Sequence, residues 1–461
     1  MATNRAVFTR GSTLRHVVLM TGASTVGLVA MFTVDLVDMY FLSLLGEQEL
    51  AAAVGFGGAL LFFLMAVSIG LQIGMGALVS RAEGCHRRDL AGRYCSNILI
   101  VSAIVASLIA VLALVYLQDL LSLLGARGKT LEYAFSYSRI IIPASPILAV
   151  GMCAANATRS LGDARRSMYA TLGGSAVNAI LDPILIFGLG WGIEGAAAAS
   201  VCARFTVMVI AFHAIFKIHQ LPRPTSLRLL REDFPGIAGV AGPAILTNLA
   251  TPIGGAFVLR TMSQFGDSAV AGAAIMGRIT PVAFAAIFAL SGAIGPIVGQ
   301  NAGAGHFDRV RRTLLEALMC NTAYVIAIWV ILWLLADSIV AAFSARGPAE
   351  DLIRFYVTWL PGAFAFSGML FVANACFNNL HRAHLATVFN FSRALLGTLP
   401  CVWLGARWYG APGVIAGEAL GAVVFGSLAF VAVMLQIRKL GHQYEQGREV
   451  LATLDQSREP D

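Results

Sequence analysis

Twelve long apolar runs, separated by short charged or Gly/Pro-rich breaks, constrain this chain more than any other feature of its sequence. They lie near residues 17–45, 50–80, 94–117, 131–158, 166–189, 193–217, 236–264, 269–300, 313–336, 352–378, 384–406 and 412–437. Each holds about 20 to 30 residues, long enough to cross a hydrocarbon core of roughly 30 Å with some tilt. Composition points the same way, since 58% of the 461 residues are hydrophobic, 12% are charged and the mean hydropathy is +0.77. A soluble domain carries roughly a quarter charged residues. The expectation is an all-α membrane protein with 12 transmembrane helices, which excludes soluble enzymes, nucleic-acid readers and disordered scaffolds.

The net charge of +7 invites a nucleic-acid partner, but its distribution argues for topology instead. Before the tail, 18 Lys and Arg fall on the amino-terminal side of the spans, against five (Arg127, Lys129, Arg346, Arg354 and Arg407) on the other. Basic residues gather in cytoplasmic loops, so both termini are expected in the cytoplasm of a multi-pass protein of the cell (inner or plasma) membrane. The run from Val17 is too long for the core of a secretory signal and is kept as the first span. The seven cysteines show no CxxC spacing and read as packing residues rather than metal ligands. The expected organisation is a leader at 1–16, a lobe at 17–217, a connector at 218–235, a second lobe at 236–437 and a tail at 438–461.

The two halves repeat one another. "GEQELAAAVGF" followed by "LVSRAEGCHRRD" is answered by "GDSAVAGAAI" followed by "IVGQNAGAGHFD", which sets Gly46 against Gly266, Gly84 against Gly303 and Asp89 against Asp308. Six spans per unit is an even number, so the two copies run parallel about an axis along the membrane normal. Two such bundles around a central cleft suit alternating access.

A carboxylate deep in a span costs about 3 kcal/mol on insertion scales and marks function by default. Asp35 and Asp38 share a face of span one, and Asn178 and Asp182 share a face of span five. Asp38 stands eight residues before Gly46, Asp182 eight before Gly190 and Ser200 eight after Gly192. At 1.5 Å per residue each lies about 12 Å below the outer end of its helix. Two carboxylates, an amide carbonyl and a hydroxyl at one level form a hard oxygen set suited to Na⁺; two adjacent carboxylates in a dry lobe equally suit a proton carrier. Arg139 is an alternative, structural partner for these acids. In the second lobe the repeat carries Asp38 onto Val258 and Asp182 onto Pro400 or Cys401. There Glu418 is the one deep acid, expected to pair with Arg393 or Arg278.

With these residues in place, the chain resembles the multidrug and toxic compound extrusion (MATE) transporters over roughly residues 12 to 437. The resemblance rests on "VDMYFLSLLGEQELAAAV" at 37–54, "NATRSLGDARRSMYATLGGSAVNAILDPILIFG" at 156–188, "GIEGAAAAS" at 192–200 and "GPIVGQNAGAG" at 295–305. It implies a V-shaped pair of six-helix lobes that exports amphipathic, often cationic, compounds in exchange for H⁺ or Na⁺. Asp38, Asn178, Asp182 and Ser200 match the family's amino-lobe cation site, with Ser200 in place of a more usual threonine. Asp35 lies outside that motif and is an extra proton site or a cavity acid that attracts cationic drugs. Asn156 matches a family asparagine and is a substrate contact or a helix–helix hydrogen bond. Some members bend span one at a proline; span one here has none, which leaves Gly22 or Gly27 as the softer hinge.

Met31, Phe32, Phe62 and Met65 are further candidates for an adaptable drug pocket. Pro143, Pro146, Pro243 and Pro252 mark expected kinks. "GQNAGAGH" lacks the Lys-Ser/Thr of a phosphate loop, and His381 with His384 reads as a surface pair. The expected function is a secondary antiporter, monomeric, with no cofactor and no metal beyond Na⁺ at Asp38, Asn178 and Asp182. A flippase for a lipid-linked saccharide is the alternative and would want a groove richer in buried arginine. A channel or an integral membrane enzyme lacks, respectively, a filter-like segment and a nucleophile–base constellation.

Overall fold

The computed structural model describes residues 6–44, 48–343 and 345–456, and every regular element among them is helical. Gly46 and the outermost parts of the expected leader and tail lie outside the described residues. The first half forms α1 (Thr13–Ser43), α2 (Gln48–Gly84), α3 (Arg88–Val115), a short α4 (Leu117–Leu123), α5 (Gly128–Ile141), α6 (Ser145–Ser160), α7 (Ala164–Pro183) and α8 (Gly192–Phe212). The second half forms α9 (Leu227–Met262), α10 (Asp267–Ala283), α11 (Ala285–Gly303), α12 (Phe307–Leu334), a short α13 (Ala336–Ala342), α14 (Pro348–Trp359), α15 (Phe364–Asn379), α16 (Ala383–Ser392) and α17 (Leu399–Gln456). Hydrocarbon offers the backbone no partner, so an apolar run of this length satisfies its amides internally as a helix.

Ten described helices are long and apolar enough to cross a membrane, and α14 with α15 adds an eleventh as one span bent by 52°. The twelfth comes from α17, which folds back at Gly410 (φ 64°). Gly397 lies against Gly421, Cys401 against Gly417 and Gly405 against Gly413. The two numbers of each pair add to 818, the signature of an antiparallel hairpin. Span four divides at Pro143 into α5 and α6, and span eight divides at Phe284 into α10 and α11. Helix α9 starts at Leu227, inside the stretch expected to be connector, because Ser226 caps it by accepting from the Leu229 amide. Helix α1 runs unbroken through Gly22 and Gly27.

The duplication is visible in the backbone itself. Left-handed φ angles recur at His86 and Gly305 (56° and 75°), Gly128 and Gly347 (55° and 57°), and Gly162 and His381 (91° and 57°). Each pair is 219 residues apart, and Gly190 and Gly410 (69° and 64°) are 220 apart. His86 and His381 hold this conformation without glycine, a cost of order 1 kcal/mol that the repeated turn imposes on them.

The described ends of the chain lie at one end of the bundle, Phe8 against Gln300 and Tyr444 against Phe307, where the lobes are sealed. There α2 crosses α11 so closely that a Cβ on Gly84 would overlap the Gln300 backbone, and one on Gly303 the Arg81 backbone. The amide of Phe8 donates to Gln300 Oε1 (2.9 Å), Arg309 Nη2 and Asn301 Nδ2 donate to the Phe8 carbonyl, and Gln300 Nε2 donates to Ser160 O (2.8 Å). Toward the opposite end, a Cβ at Gly55, Gly58, Gly255 or Gly277 would meet nothing within 4 Å.

At the sealed end Asp163 caps α7, accepting from the Arg166 amide (3.1 Å), from the Arg166 guanidinium and from His219 Nε2 (3.0 Å). Burial acts to raise its pKa, but those hydrogen bonds prevail and hold it below the ordinary 3.8, at about 2. A depressed folded-state pKa means the stabilisation is complete above pH 3.8 and is lost as pH falls through 2. Asp163→Asn is therefore expected to lower stability by about 2 kcal/mol at pH 6. Melting curves of variant and parent, measured from pH 6 downward, should begin to approach one another below pH 4 and converge as pH falls through about 2.

Candidate functional site

Helices α1 and α7 lie side by side in the first lobe, and their polar positions face each other. Asn178 Nδ2 donates to both oxygens of Asp38 (3.0 and 2.9 Å) and to Asp182 Oδ2 (2.8 Å), so one amide bridges two carboxyls from two helices. Asp182 is fully buried and its Oδ1 has no hydrogen-bond partner. Asp35, one turn before Asp38, is more exposed and interacts with Asp38 through space without joining the bridge. Helix α5 places Tyr137 within electrostatic reach of Asp35, Asp38 and Asp182. Arg204 of α8 stands behind Tyr137 and donates to Ile141 O (3.0 Å).

Two features differ from the oxygen set expected for Na⁺. Asn178 presents its NH₂, a donor, to the carboxylates, because two acceptors crowd the same space and only the amide nitrogen relieves them. Ser200 is half-buried and makes no hydrogen bond to the bridge. Among the described residues no group of three or more His, Cys, Asp or Glu is arranged to hold a metal ion. Arg139 pairs with Glu194 near the surface (3.8 Å) instead of with these acids.

The other candidates divide. Phe62 and Met65 line a cavity of about 140 Å³ with Ser145, Leu148 and Arg204. Met31 and Phe32 are half-buried on α1 and do not line that cavity. Asn156 is buried and donates to Gln72 O (2.7 Å), tying α6 to α2. In the second lobe Glu418 interacts with Arg393 and Tyr356, without closing an ion pair within 4 Å, and Tyr356 shares a hydrogen bond with Thr280 (2.8 Å). Tyr137 and Arg204 went unnoticed in the sequence. Tyr137 carried a usable signal, because Tyr356 stands 219 residues later, at the repeat offset.

A family model matches this chain twice, at residues 23–184 and 243–403; it is that of MatE. The chain belongs to the MatE family. The two matched segments start 220 and end 219 residues apart, the same shift that relates the left-handed turns. An FAD transporter of Shewanella oneidensis is 27% identical over 397 residues, covering 85% of this chain and 87% of its own length. The multidrug export protein MepA of Staphylococcus haemolyticus is 23% identical over 406 residues, covering 86% and 88%. The solved structure of the Vibrio cholerae MATE transporter VcmN superposes with a TM-score of 0.89 at 24% identity, over 93% of this chain and 98% of that one. An outward-facing multidrug-resistance MATE transporter gives 0.89 at 23% identity, over 95% and 99%. This MatE chain is thus a two-lobed, multi-pass membrane transporter and not an enzyme.

Proposed function

We propose that this MatE chain is a proton-coupled antiporter that exports amphipathic, often cationic, organic compounds. The observation that carries the reading is the Asn178 bridge between Asp38 and Asp182. Two carboxyls held against one another in a water-poor lobe accept a single proton readily, since the proton removes their repulsion. An amide N–H donor between them occupies the place where Na⁺ would need an acceptor, which supports H⁺ over Na⁺. With both termini cytoplasmic, the sealed end faces the cytoplasm and the cleft faces outward. A proton entering from outside favours release of the drug there, and inward passage of the proton resets the carrier.

A second substrate class has a specific observation behind it. Arg159 donates to Ser167 Oγ (3.1 Å), approaches α11 at Gly292, and has no carboxylate within 4 Å among the described residues. A cation so placed suits an anionic aromatic substrate, and one relative bears the name FAD transporter.

Efflux of a fluorescent cationic drug from proteoliposomes, with pH and Na⁺ gradients imposed separately, tests both readings. Transport is expected to follow the pH gradient alone, and dependence on Na⁺ alone would overturn the proton assignment. FAD in the same assay is expected to compete only if the anionic class is carried.

A further inference from the structure

A second cavity lies outside the first-lobe site. It measures about 670 Å³ and opens between the end of α9 and the first arm of α17. Phe257, Arg260, Gln264 and Phe265 come from the α9 side, and Trp403 and Arg407 from α17. The spacing 257, 260, 264 follows one face of a helix, as does 403, 407, so two cationic side chains converge on one hollow. The Arg407 guanidinium lies 5.8 Å from the Trp403 ring centroid. Neither Arg260 nor Arg407 meets a carboxylate within 4 Å among the described residues, whereas Arg354, on the same side of the spans by sequence, is held by Asp337 and Glu350.

The surroundings identify the occupant. The hollow sits beside the Gly410 turn, where Phe265 packs, at the end opposite the termini, and exposed Trp403, Trp408 and Tyr409 flank it. Such aromatics sit at the headgroup level of a bilayer. Below the arginines each helix continues as an exposed apolar strip: Leu246 and Ile253 on α9, Leu395 and Leu396 ahead of α17. Two cations that meet no carboxylate within 4 Å among the described residues, set at the interface above a greasy strip, match one molecule with an anionic head and acyl chains.

We propose that this cleft binds the headgroup of an anionic phospholipid, its phosphodiester between Arg260 and Arg407 and its chains along the α9 and α17 strips. A free phosphorylated solute shares the headgroup chemistry but leaves the apolar strip unused. Native mass spectrometry of the full chain in detergent, with dioleoyl-phosphatidylglycerol or dioleoyl-phosphatidylcholine added at matched concentration, tests this. Phosphatidylglycerol is expected to bind preferentially. The Arg260→Gln/Arg407→Gln variant should lower its affinity by roughly thirtyfold, each basic side chain at the interface contributing about fivefold. The Arg260→Lys/Arg407→Lys variant should retain most of the binding. If the double Gln variant does not fold, Arg407→Gln alone, at an exposed position, should lower affinity by about fivefold. Equal phosphatidylglycerol binding in parent and Gln variants, equal binding of both lipids, or displacement of the lipid by glycerol 3-phosphate at comparable concentration would each overturn the proposal.

Discussion

Asp38→Asn is expected to cut export driven by a pH gradient sharply, and Asp182→Asn to do the same. In the parent, Asn178 donates to both carboxyls at 2.8–3.0 Å, so the pair can hold one proton and lose it again. An amide at position 38 cannot ionise, and the remaining acid no longer has a charged neighbour whose repulsion a proton relieves. Coupling free energies are typically 1–3 kcal/mol, so the pH-driven rate should fall by roughly 5- to 150-fold. The pH dependence of what remains should flatten. Drug binding in detergent should change less than transport, because the lesion lies in the coupling step. Asn178→Asp is the sharper variant: it replaces the bridging donor with a third acid and should also uncouple, although every position in the site stays polar. The assay is drug efflux from proteoliposomes across a series of imposed pH gradients. A variant at Asp38 that still follows the gradient at the parental rate would remove the first lobe from the coupling mechanism.

Much of this arrangement was legible because membrane insertion makes sequence periodicity strict. Apolar run length fixes the spans, and a buried acid is too costly to be incidental, so Asp38 and Asp182 stand out from their surroundings. Counting residues from the outer loops places them at one depth. It does not say which end of the Asn178 amide faces the acids, since that depends on the acceptors around it. Nor does it set the rotation of α8 about its own axis, which decides whether Ser200, half-buried and without a hydrogen bond to Asp38, Asn178 or Asp182 among the described residues, can reach the bridge.

Breaks inside spans followed a similar rule. The division of span four falls at Pro143, where the sequence marks it. The division of span eight falls at Phe284, three residues after Pro281, and the proline was not among the expected kinks. The repeat was the more powerful instrument. Its offset of 219 predicts Tyr356 from Tyr137 and the strained His381 from Gly162, neither of which a search for acids or for turn glycines would find.

The same offset identifies the second large effect. Adding 219 to Gly84 gives Gly303, and adding it to Arg81 gives Gln300, so the contact of Gly84 with Gln300 and that of Gly303 with Arg81 are two copies of one contact. Ser80 maps onto Gly299, which it touches, so the pseudo-twofold axis passes between them. The seal at the terminal end is therefore a symmetric crossing of α2 and α11 in which glycine lets two backbones meet. Gly303→Val puts a branched side chain against the Arg81 carbonyl, where the neighbour is backbone and cannot rotate away. Overpacking of this kind costs about 1–3 kcal/mol, and the cost falls on the sealed conformation alone. At 1.4 kcal/mol per decade it should raise the fraction of opened molecules by roughly 5- to 150-fold. Ser80→Cys in a background without other cysteines provides the readout, because Ser80 is fully buried in the seam. Alkylation of the introduced thiol by a water-soluble maleimide should be slow in that background and much faster once Gly303→Val or Gly84→Val is added. Gly277→Val, where the backbone meets open space, should leave the rate unchanged. An unaltered alkylation rate in a folded protein carrying both Ser80→Cys and Gly303→Val would mean that the lobes do not part along this crossing.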